Sequence, residues 1–291
     1  MTSDKIVLVC IAKNESQYIR EFVEHHLNLG FDLICIYDNN DYNSDEDYNR
    51  LLANYINQNK VIINNIRSQR YNGLQMDCYL KSYNMLRQHG GFSWAFFMDV
   101  DEFLILNNTD NIHTFFENPE FRYFDEVHFN WICMSDNDLI ENDRRPLMER
   151  FTTPIHIDNQ EPHGYIPNKH IKCAIRVDGN KQDIQFPNPH CTTITNVCNP
   201  SGKPCEMGPF NDEADISVAY IKHFRDKTIQ EFLENKMQKG FSDWGDFMIE
   251  RYDFFYSQKS TVDKCQYMIR YIFKLQSEIR ELKNKLNPGS N

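Results

Sequence analysis

Three polar clusters stand directly behind short apolar runs, and their residue types suit the handling of a phosphorylated ligand. The run 94–98 is apolar and leads straight into Asp99-Val100-Asp101-Glu102. Asp99 and Asp101, two apart, would share a face on a strand but converge on one cation when the chain turns there. Hard carboxylate oxygens of this kind suit Mg2+ or Mn2+, with a diphosphate supplying the remaining ligands. A cation so held acts as a Lewis acid, gripping the diphosphate and stabilising its charge as it leaves. The run 6–12 ends in Ala12-Lys13-Asn14-Glu15, and 33–37 ends in Asp38-Asn39-Asn40, where Asn and Asp groups could hydrogen-bond a base and a ribose. A lone D-x-D pair also marks solvated turns and helix caps. Here Phe96, Phe97 and Met98 precede it and Phe103, Leu104 and Ile105 follow. Carboxylates buried between apolar runs are costly unless a cation compensates them.

The elements that must position these clusters read as alternating strand and helix over the first hundred residues, the pattern of a βαβ sheet with covering helices. Ligands of such sheets bind at the carboxyl ends of the strands, which is where all three clusters fall. Residues 6–12, 33–37 and 61–66 read as strands. Between the first two, Ile19, Phe22, Val23 and Leu27 follow helical spacing within 16–29, and Gly30 supplies the stop. A second helix centres on 51–56 and a third on 75–86, after which 94–98 is the next strand. From about 107 to 211 the chain is richer in Pro, Asn and His and poorly periodic, so short strands and long loops are expected, where acceptor recognition is normally built. Residues 217–224 are β-like, and 228–239 read as a helix that Gly240 ends.

A chain of 291 residues with 41% apolar residues can bury a sizeable core. Its net charge of −11 argues against nucleic acid as principal partner, since that binding rests on basic surface. Nine scattered cysteines, odd in number and without metal-site spacing, read as reduced thiols of a cytoplasmic protein, with Cys10, Cys35 and Cys78 in the core. The start carries only Lys5 before an apolar run, so no secretory signal is expected, and no stretch reaches the roughly 20 apolar residues of a membrane span. The end of the chain differs in kind. Met268, Ile272, Leu275, Ile279, Leu282 and Leu286 form an a/d seam of nearly three heptads, and six basic residues against two acidic ones between Lys264 and Leu286 invert the charge sign. Three readings compete: a helix packed on its own domain, a dimer coiled coil, and a basic helix on the inner, anionic face of a membrane. The expected division is one domain over 1–245 and a helical tail over 246–291.

The run Ala12-Lys13-Asn14-Glu15, then Tyr18-Ile19-Arg20-Glu21-Phe22, His25-His26-Leu27 and Tyr37-Asp38-Asn39-Asn40, resembles the opening of glycosyltransferase family 92 and family 2-like enzymes. Phe97-Met98-Asp99-Val100-Asp101-Glu102-Phe103-Leu104 is similar to their D-x-D-E-F motif. Asn130-Trp131 with Asp136-Asn137, Glu149-Arg150-Phe151, Lys169 to Lys172, His190, and His223-Phe224 with Lys227, Lys236 and Gly240 continue the succession in one order over roughly 5–245. The resemblance implies an α/β GT-A fold with a central, mostly parallel twisted sheet, a UDP-sugar donor, Mn2+ or Mg2+, and inversion at the anomeric carbon. Carried over by position, Ala12, Asn14 and Glu15 with Asp38 and Asn40 would hold the nucleoside, Asp99 its ribose or the metal, and Asp101 the metal. His223 becomes the distal metal ligand or a structural histidine, and His190 a diphosphate contact or a loop-packing residue. Lys169 or Lys172 would pair with phosphate or be merely solvated.

Inverting transfer needs a general base for the acceptor hydroxyl, and Asp136 is the choice, with Asp138 and Glu141 as rivals. It follows Trp131 in a polar loop, where a sugar could stack on the indole, although Trp131 could equally be core. Family relatives tend to have glycine before this Asp, where Ser135 stands here, so a differently built local turn is expected. The expected activity is hexosyl transfer to a saccharide or lipid-linked acceptor in surface polysaccharide synthesis. A nucleotidyltransferase or nucleotide-sugar hydrolase on the same metal site is the alternative; many nucleotidyltransferases would add a Gly-rich basic loop near the first strand, and Lys13-Asn14-Glu15 has no glycine. A non-catalytic carbohydrate-binding protein would be expected to have lost one of Asp99 and Asp101.

Overall fold

The computed structural model describes residues 5–137, 139–155, 166–178, 183–236 and 262–286. Its strands are β1 (Lys5–Ala12), β2 (Leu33–Asp38), β3 (Val61–Asn65), β4 (Phe92–Phe97), β5 (Glu102–Leu106), β6 (Glu126–Cys133), β7 (Ile171–Arg176), β8 (Val197–Cys198) and β9 (Ala219–His223). They form one sheet in the order β3-β2-β1-β4-β7-β6-β9-β5, with β8 beside β6. β1 to β4 run parallel to one another. β7 is antiparallel to both β4 and β6, so β6 points the same way as β4, and β9 runs parallel to β6. The sheet is mostly parallel, as expected of a GT-A fold, and the arrangement brings the carboxyl ends of β1, β2, β4, β6 and β9 and the amino end of β7 to one edge.

The uninterrupted apolar run of β1 follows from burial on both faces. Ile6, Leu8, Cys10 and Ala12 point into one core, shared with the helix Ile19–Asn28 through Ile19, Phe22 and Val23. Val7 and Val9 point into a second core, covered by the helix Leu74–His89 through Leu74, Cys78, Tyr79, Tyr83 and Leu86. The first helix stops at Gly30 as its sequence predicts: φ is +93°, and a Cβ there would meet the Asn111 amide nitrogen at 2.7 Å. The helix predicted over 51–56 is two short pieces, Tyr48–Leu51 and Ala53–Asn57.

The region 107–211 departs most from expectation. It contributes β6 and β7, which sit in the interior of the sheet. β6 is buried at all eight positions, including Glu126, His128 and Asn130. The polar side chains that mask it as a strand are paired inside: the His128 Nε2 lies 2.8 Å from Glu126 Oε1, and the Asn211 amide donates to Asn130 Oδ1 at 3.0 Å.

The predicted helix from 228 begins with a capping box, Thr228 and Glu231 satisfying each other's backbone N–H groups; its predicted end at Gly240 and the division at 245/246 lie outside the described residues. The C-terminal helix spans Val262–Leu286, and Ile269, Ile272, Phe273, Leu275, Ile279, Leu282 and Leu286 are exposed on it, so these side chains are not packed on the described domain. Among the described residues no helix is long and apolar enough to cross a membrane.

Candidate active site

At the ends of β1 and β2 the loops are tied to each other before any ligand arrives. Asn14 adopts the left-handed conformation, φ 54°, and its N–H donates to Asn40 Oδ1 at 2.8 Å. The backbone and amide nitrogens of Asn40 donate to Asp38 Oδ1 at 3.0 and 2.7 Å. The other oxygen of Asp38 accepts from Arg67 Nε at 2.8 Å. The Ala12 carbonyl accepts from the Asn39 N–H, and the Glu15 N–H donates to the Tyr48 hydroxyl. Asp38, Asn40 and Glu15 are all buried. The side-chain hydrogen bonds of Asp38 and Asn40 thus tie the loop pair together and to Arg67, and their direct effect is to fix the two strand ends. Arg67, just past β3, is the cation that sequence reading missed; nothing in its local pattern marks it.

β4 ends at Phe97 and the chain turns at Val100-Asp101, which sends β5 away to pair with β9. That pairing sets Glu102 opposite His223 and brings His223 Nε2 to 3.6 Å from Asp101 Oδ1. Residues more than a hundred positions apart therefore meet because two strands leave the same edge together. Lys172, the second residue of β7, is fully buried, and its ammonium donates to Asp99 Oδ2 at 2.8 Å and to the Pro189 carbonyl at 3.2 Å. Gln75 donates to Asp99 Oδ1 at 2.7 Å. Lys227 Nζ donates to Asp101 Oδ2 at 2.9 Å. Each aspartate of the pair thus carries its own ammonium.

The protonation states follow from this packing. Burial disfavours ionised Asp99, but the Lys172 ammonium beside it outweighs that and holds the carboxyl below its usual range. Glu102 is pushed well above its usual range, first by burial, against the pull of Lys172. Its Oε2 accepts the Asp99 N–H at 2.9 Å, while Oε1 lies 3.8 Å from Lys172 Nζ and has no hydrogen bond among the described residues. Lys172 and Lys227 are held cationic by Asp99 and Asp101 despite burial.

Three imidazoles line the same place. Trp131 lies between them: His170 stacks on its face at 4.8 Å and 15°, His223 is 4.1 Å away, and His190 meets it edge-on at 5.1 Å. The indole is 5% exposed and its Nε1 has no hydrogen-bond partner among the described residues. Trp131 is therefore a core wall, and its covered face is not the sugar platform its loop position suggests. Burial, with Lys172 and His170 nearby, drops His190 to about 3, and burial drops His170 to about 4. The His190 Nδ1 donates to the Ile171 carbonyl at 3.0 Å, leaving the Nε2 lone pair as its available group. A neutral imidazole in that state meets a cation or a hydroxyl proton more readily than a phosphate oxygen.

Asp136 is buried just past the end of β6, two residues beyond Met134, whose N–H donates to the His223 carbonyl at 2.9 Å. The turn that Ser135 puts in question is built by side chains. Ser135 Oγ accepts from the Asn137 N–H, and Asn137 takes the left-handed conformation with its amide donating to the Arg150 carbonyl. Of the rivals, Glu141 is exposed and Asp138 lies outside the described residues. Lys169 sits at the surface, paired with Asp212 at 2.7 Å. Behind the site, Arg150 donates twice to Glu231, at 2.9 and 2.8 Å, and the Tyr18 hydroxyl donates to the same carboxylate. Glu231 also caps Thr228, so this buried knot holds the segment that begins with Lys227.

The edge thus gathers Asp99, Asp101, Lys172, His190, His223 and Lys227, with Asp136 and the β1 and β2 loops on the same edge. Among the described residues no three His, Cys, Asp or Glu side chains stand in metal-holding geometry. The donor chemistry does fit a hard divalent cation: two carboxylates, each now neutralised by an ammonium, with an imidazole beside one of them. Besides Arg67, sequence reading gave no role to Glu102 and Gln75. Gln75 offers a signal, since it stands one turn before Tyr79 on a mostly apolar helix face.

Comparison with solved structures returns partial likenesses. A mannosyltransferase, PcManGT from Pyrobaculum calidifontis in complex with GDP-Man and Mn2+, is 10% identical over 43% of this chain and 35% of its own, with a TM-score of 0.31. A UDP-glucose pyrophosphorylase complexed with UDP-glucose is 11% identical over 46% of this chain and 59% of its own, with a TM-score of 0.27. The WbbM bifunctional glycosyltransferase is 9% identical over 60% of this chain and 32% of its own, with a TM-score of 0.31. This chain therefore spans about a third of the mannosyltransferase it matches, and likeness at these scores carries no argument. No curated protein matches the chain. The sequence model of glycosyltransferase family 92 matches residues 5–176, more than half of the 291. The ordered motifs and that match agree, and the chain belongs to glycosyltransferase family 92.

Proposed function

We propose that this chain is a metal-dependent, inverting glycosyltransferase that moves a sugar from a UDP-sugar to a hydroxyl of a saccharide or lipid-linked acceptor. The observation that carries the reading is the charge arrangement at the strand edge. Two adjacent carboxylates and two buried ammoniums face each other at 2.8 and 2.9 Å, next to an imidazole. A site of this kind can trade its internal pairs for a cation and a diphosphate at little net electrostatic cost. The carboxylates then face the cation and the ammoniums face the phosphates.

In this reading Asp99, Asp101 and His223 would hold Mn2+ or Mg2+, which when bound supplies Lewis acidity at the diphosphate. Released from Asp99 and Asp101, the Lys172 and Lys227 ammoniums would take phosphate oxygens. The β1 and β2 loops, fixed by Asn14, Asp38 and Asn40, present Ala12 to Glu15 to the nucleoside. Asp136 accepts the proton of the acceptor hydroxyl as that oxygen attacks the anomeric carbon. The bond from that carbon to the diphosphate breaks on the opposite face, and UDP leaves with the electron pair.

The test is release of UDP from a panel of UDP-sugars, with Mn2+ and with chelator. Turnover of one sugar that needs both Mn2+ and Asp136 supports the reading. Equal turnover in chelator, or release of a nucleoside monophosphate instead of UDP, would replace it with a metal-independent transferase or a phosphohydrolase.

A further inference from the structure

From Ile269 to Leu286 the C-terminal helix shows an apolar stripe that the described domain does not cover: Ile272, Leu275, Ile279, Leu282 and Leu286 are 46, 38, 51, 58 and 79% exposed. Their spacing of three and four residues places Ile272, Ile279 and Leu286 at the a positions of a heptad and Leu275 and Leu282 at d. The residue types then select an occupant. β-Branched residues at a with leucine at d pack best in a parallel, two-stranded coiled coil, where the Cα–Cβ geometry at a admits a branched carbon and that at d a leucine.

The charges flanking the seam agree with that partner. In a parallel pair, each g residue faces the e residue five positions on in the other strand. Glu278 at g would face Lys283 at e, twice by symmetry, and Tyr271 at g would face Gln276 at e, so between Tyr271 and Leu286 no such pair sets like charges together. The outer positions, where a second strand does not reach, carry Arg270, Lys274 and Arg280 against one acid, Glu281, with Phe273 exposed among them.

We propose that this stripe is the contact for a second copy of the same chain, joined as a parallel two-stranded coiled coil through Ile272, Leu275, Ile279 and Leu282, with Glu278 and Lys283 paired between strands. The seam covers under three heptads, so the dimer is reversible and its population depends on protein concentration.

The experiment is sedimentation velocity of the full chain across a concentration series, with Ile279→Asp, Glu278→Lys and the double variant Glu278→Lys/Lys283→Glu. The seam predicts a concentration-dependent dimer for the wild type and a monomer for Ile279→Asp. Glu278→Lys should weaken dimerisation by about tenfold, through two like-charge pairs at a few tenths to 1 kcal/mol each, and the double variant should restore it. A companion flotation with vesicles of anionic and of neutral phospholipid separates the other occupant. A wild type that stays monomeric at all concentrations, or that floats with anionic vesicles as a monomer, overturns the proposal. A dimer that survives Ile279→Asp, or that the charge exchange fails to restore, overturns it as well.

Discussion

Replacing Lys172 by methionine removes one ammonium from the strand edge and leaves a side chain of similar length in the same slot. Asp99 then loses its 2.8 Å partner and Glu102 its 3.8 Å one, and among the described residues Gln75 alone still donates to the Asp99 side chain. Breaking a fully buried pair costs roughly 3–5 kcal/mol, most of it from the charge left behind. The Asp99 side chain keeps 35% of its surface, so water recovers part of that, and the expected loss is near the low end, about 3 kcal/mol. Against a domain stability of about 5–15 kcal/mol this is readily measured by urea unfolding followed through tryptophan fluorescence.

The loss should depend on pH with a definite sign. Asp99 is held below its usual range, so the stability it contributes is present above about pH 4 and disappears as pH falls through its lowered value. The gap between wild type and Lys172→Met should therefore be widest near neutrality and close in acid. Asp99→Asn in the Lys172→Met background removes the orphaned charge and should recover at least about half of the loss. A single variant as stable as wild type at pH 7, or a double variant no more stable than the single one, would refute the charge balance on which the site rests.

Three further outcomes follow from other parts of the structure. Asp136→Asn should bind UDP as wild type does but lose about 10²–10⁴-fold in transfer, read as kcat in a coupled UDP-release assay; unchanged kcat would exclude Asp136 as base. Glu231→Gln strands the buried Arg150 and should lower stability by roughly 3–5 kcal/mol in urea unfolding, whereas a change under about 1 kcal/mol would mean the knot holds little. His128 is opposed by burial but raised by Cys205 and Glu126 to about 9. Its contribution is therefore complete below about pH 6.5 and lost as pH rises through 9, so wild-type stability should decline across that window. Glu126→Gln should flatten the decline, and an unchanged slope would remove the pair as its cause.

The parallel half of the fold was legible because β1, β2 and β4 are buried on both faces and read as unbroken apolar runs, and because Gly30 ends the first helix by steric necessity. The interior strands β6 and β7 were not. Glu126, His128 and Asn130 look like loop residues until their partners, far away in sequence, are in place. The same limit applies to the site. Asp99 and Asp101 announce themselves by standing at a strand end, and Lys172 and His223 were found through ordered motifs. Local pattern could not give the ion pairs Asp99–Lys172 and Asp101–Lys227, or the burial that leaves His190 neutral. The covered face of Trp131 likewise depends on His170 arriving from another strand.

The central claim is that Asp101 and a divalent cation together hold the donor diphosphate. Calorimetric titration of UDP into wild type and Asp101→Ala, each with Mn2+ and with chelator, tests it directly, with circular dichroism confirming that the variant is folded. Binding by wild type in Mn2+ alone, absent in chelator and absent in the folded variant, is the predicted result. Binding of equal strength in chelator, or in Asp101→Ala, would contradict it.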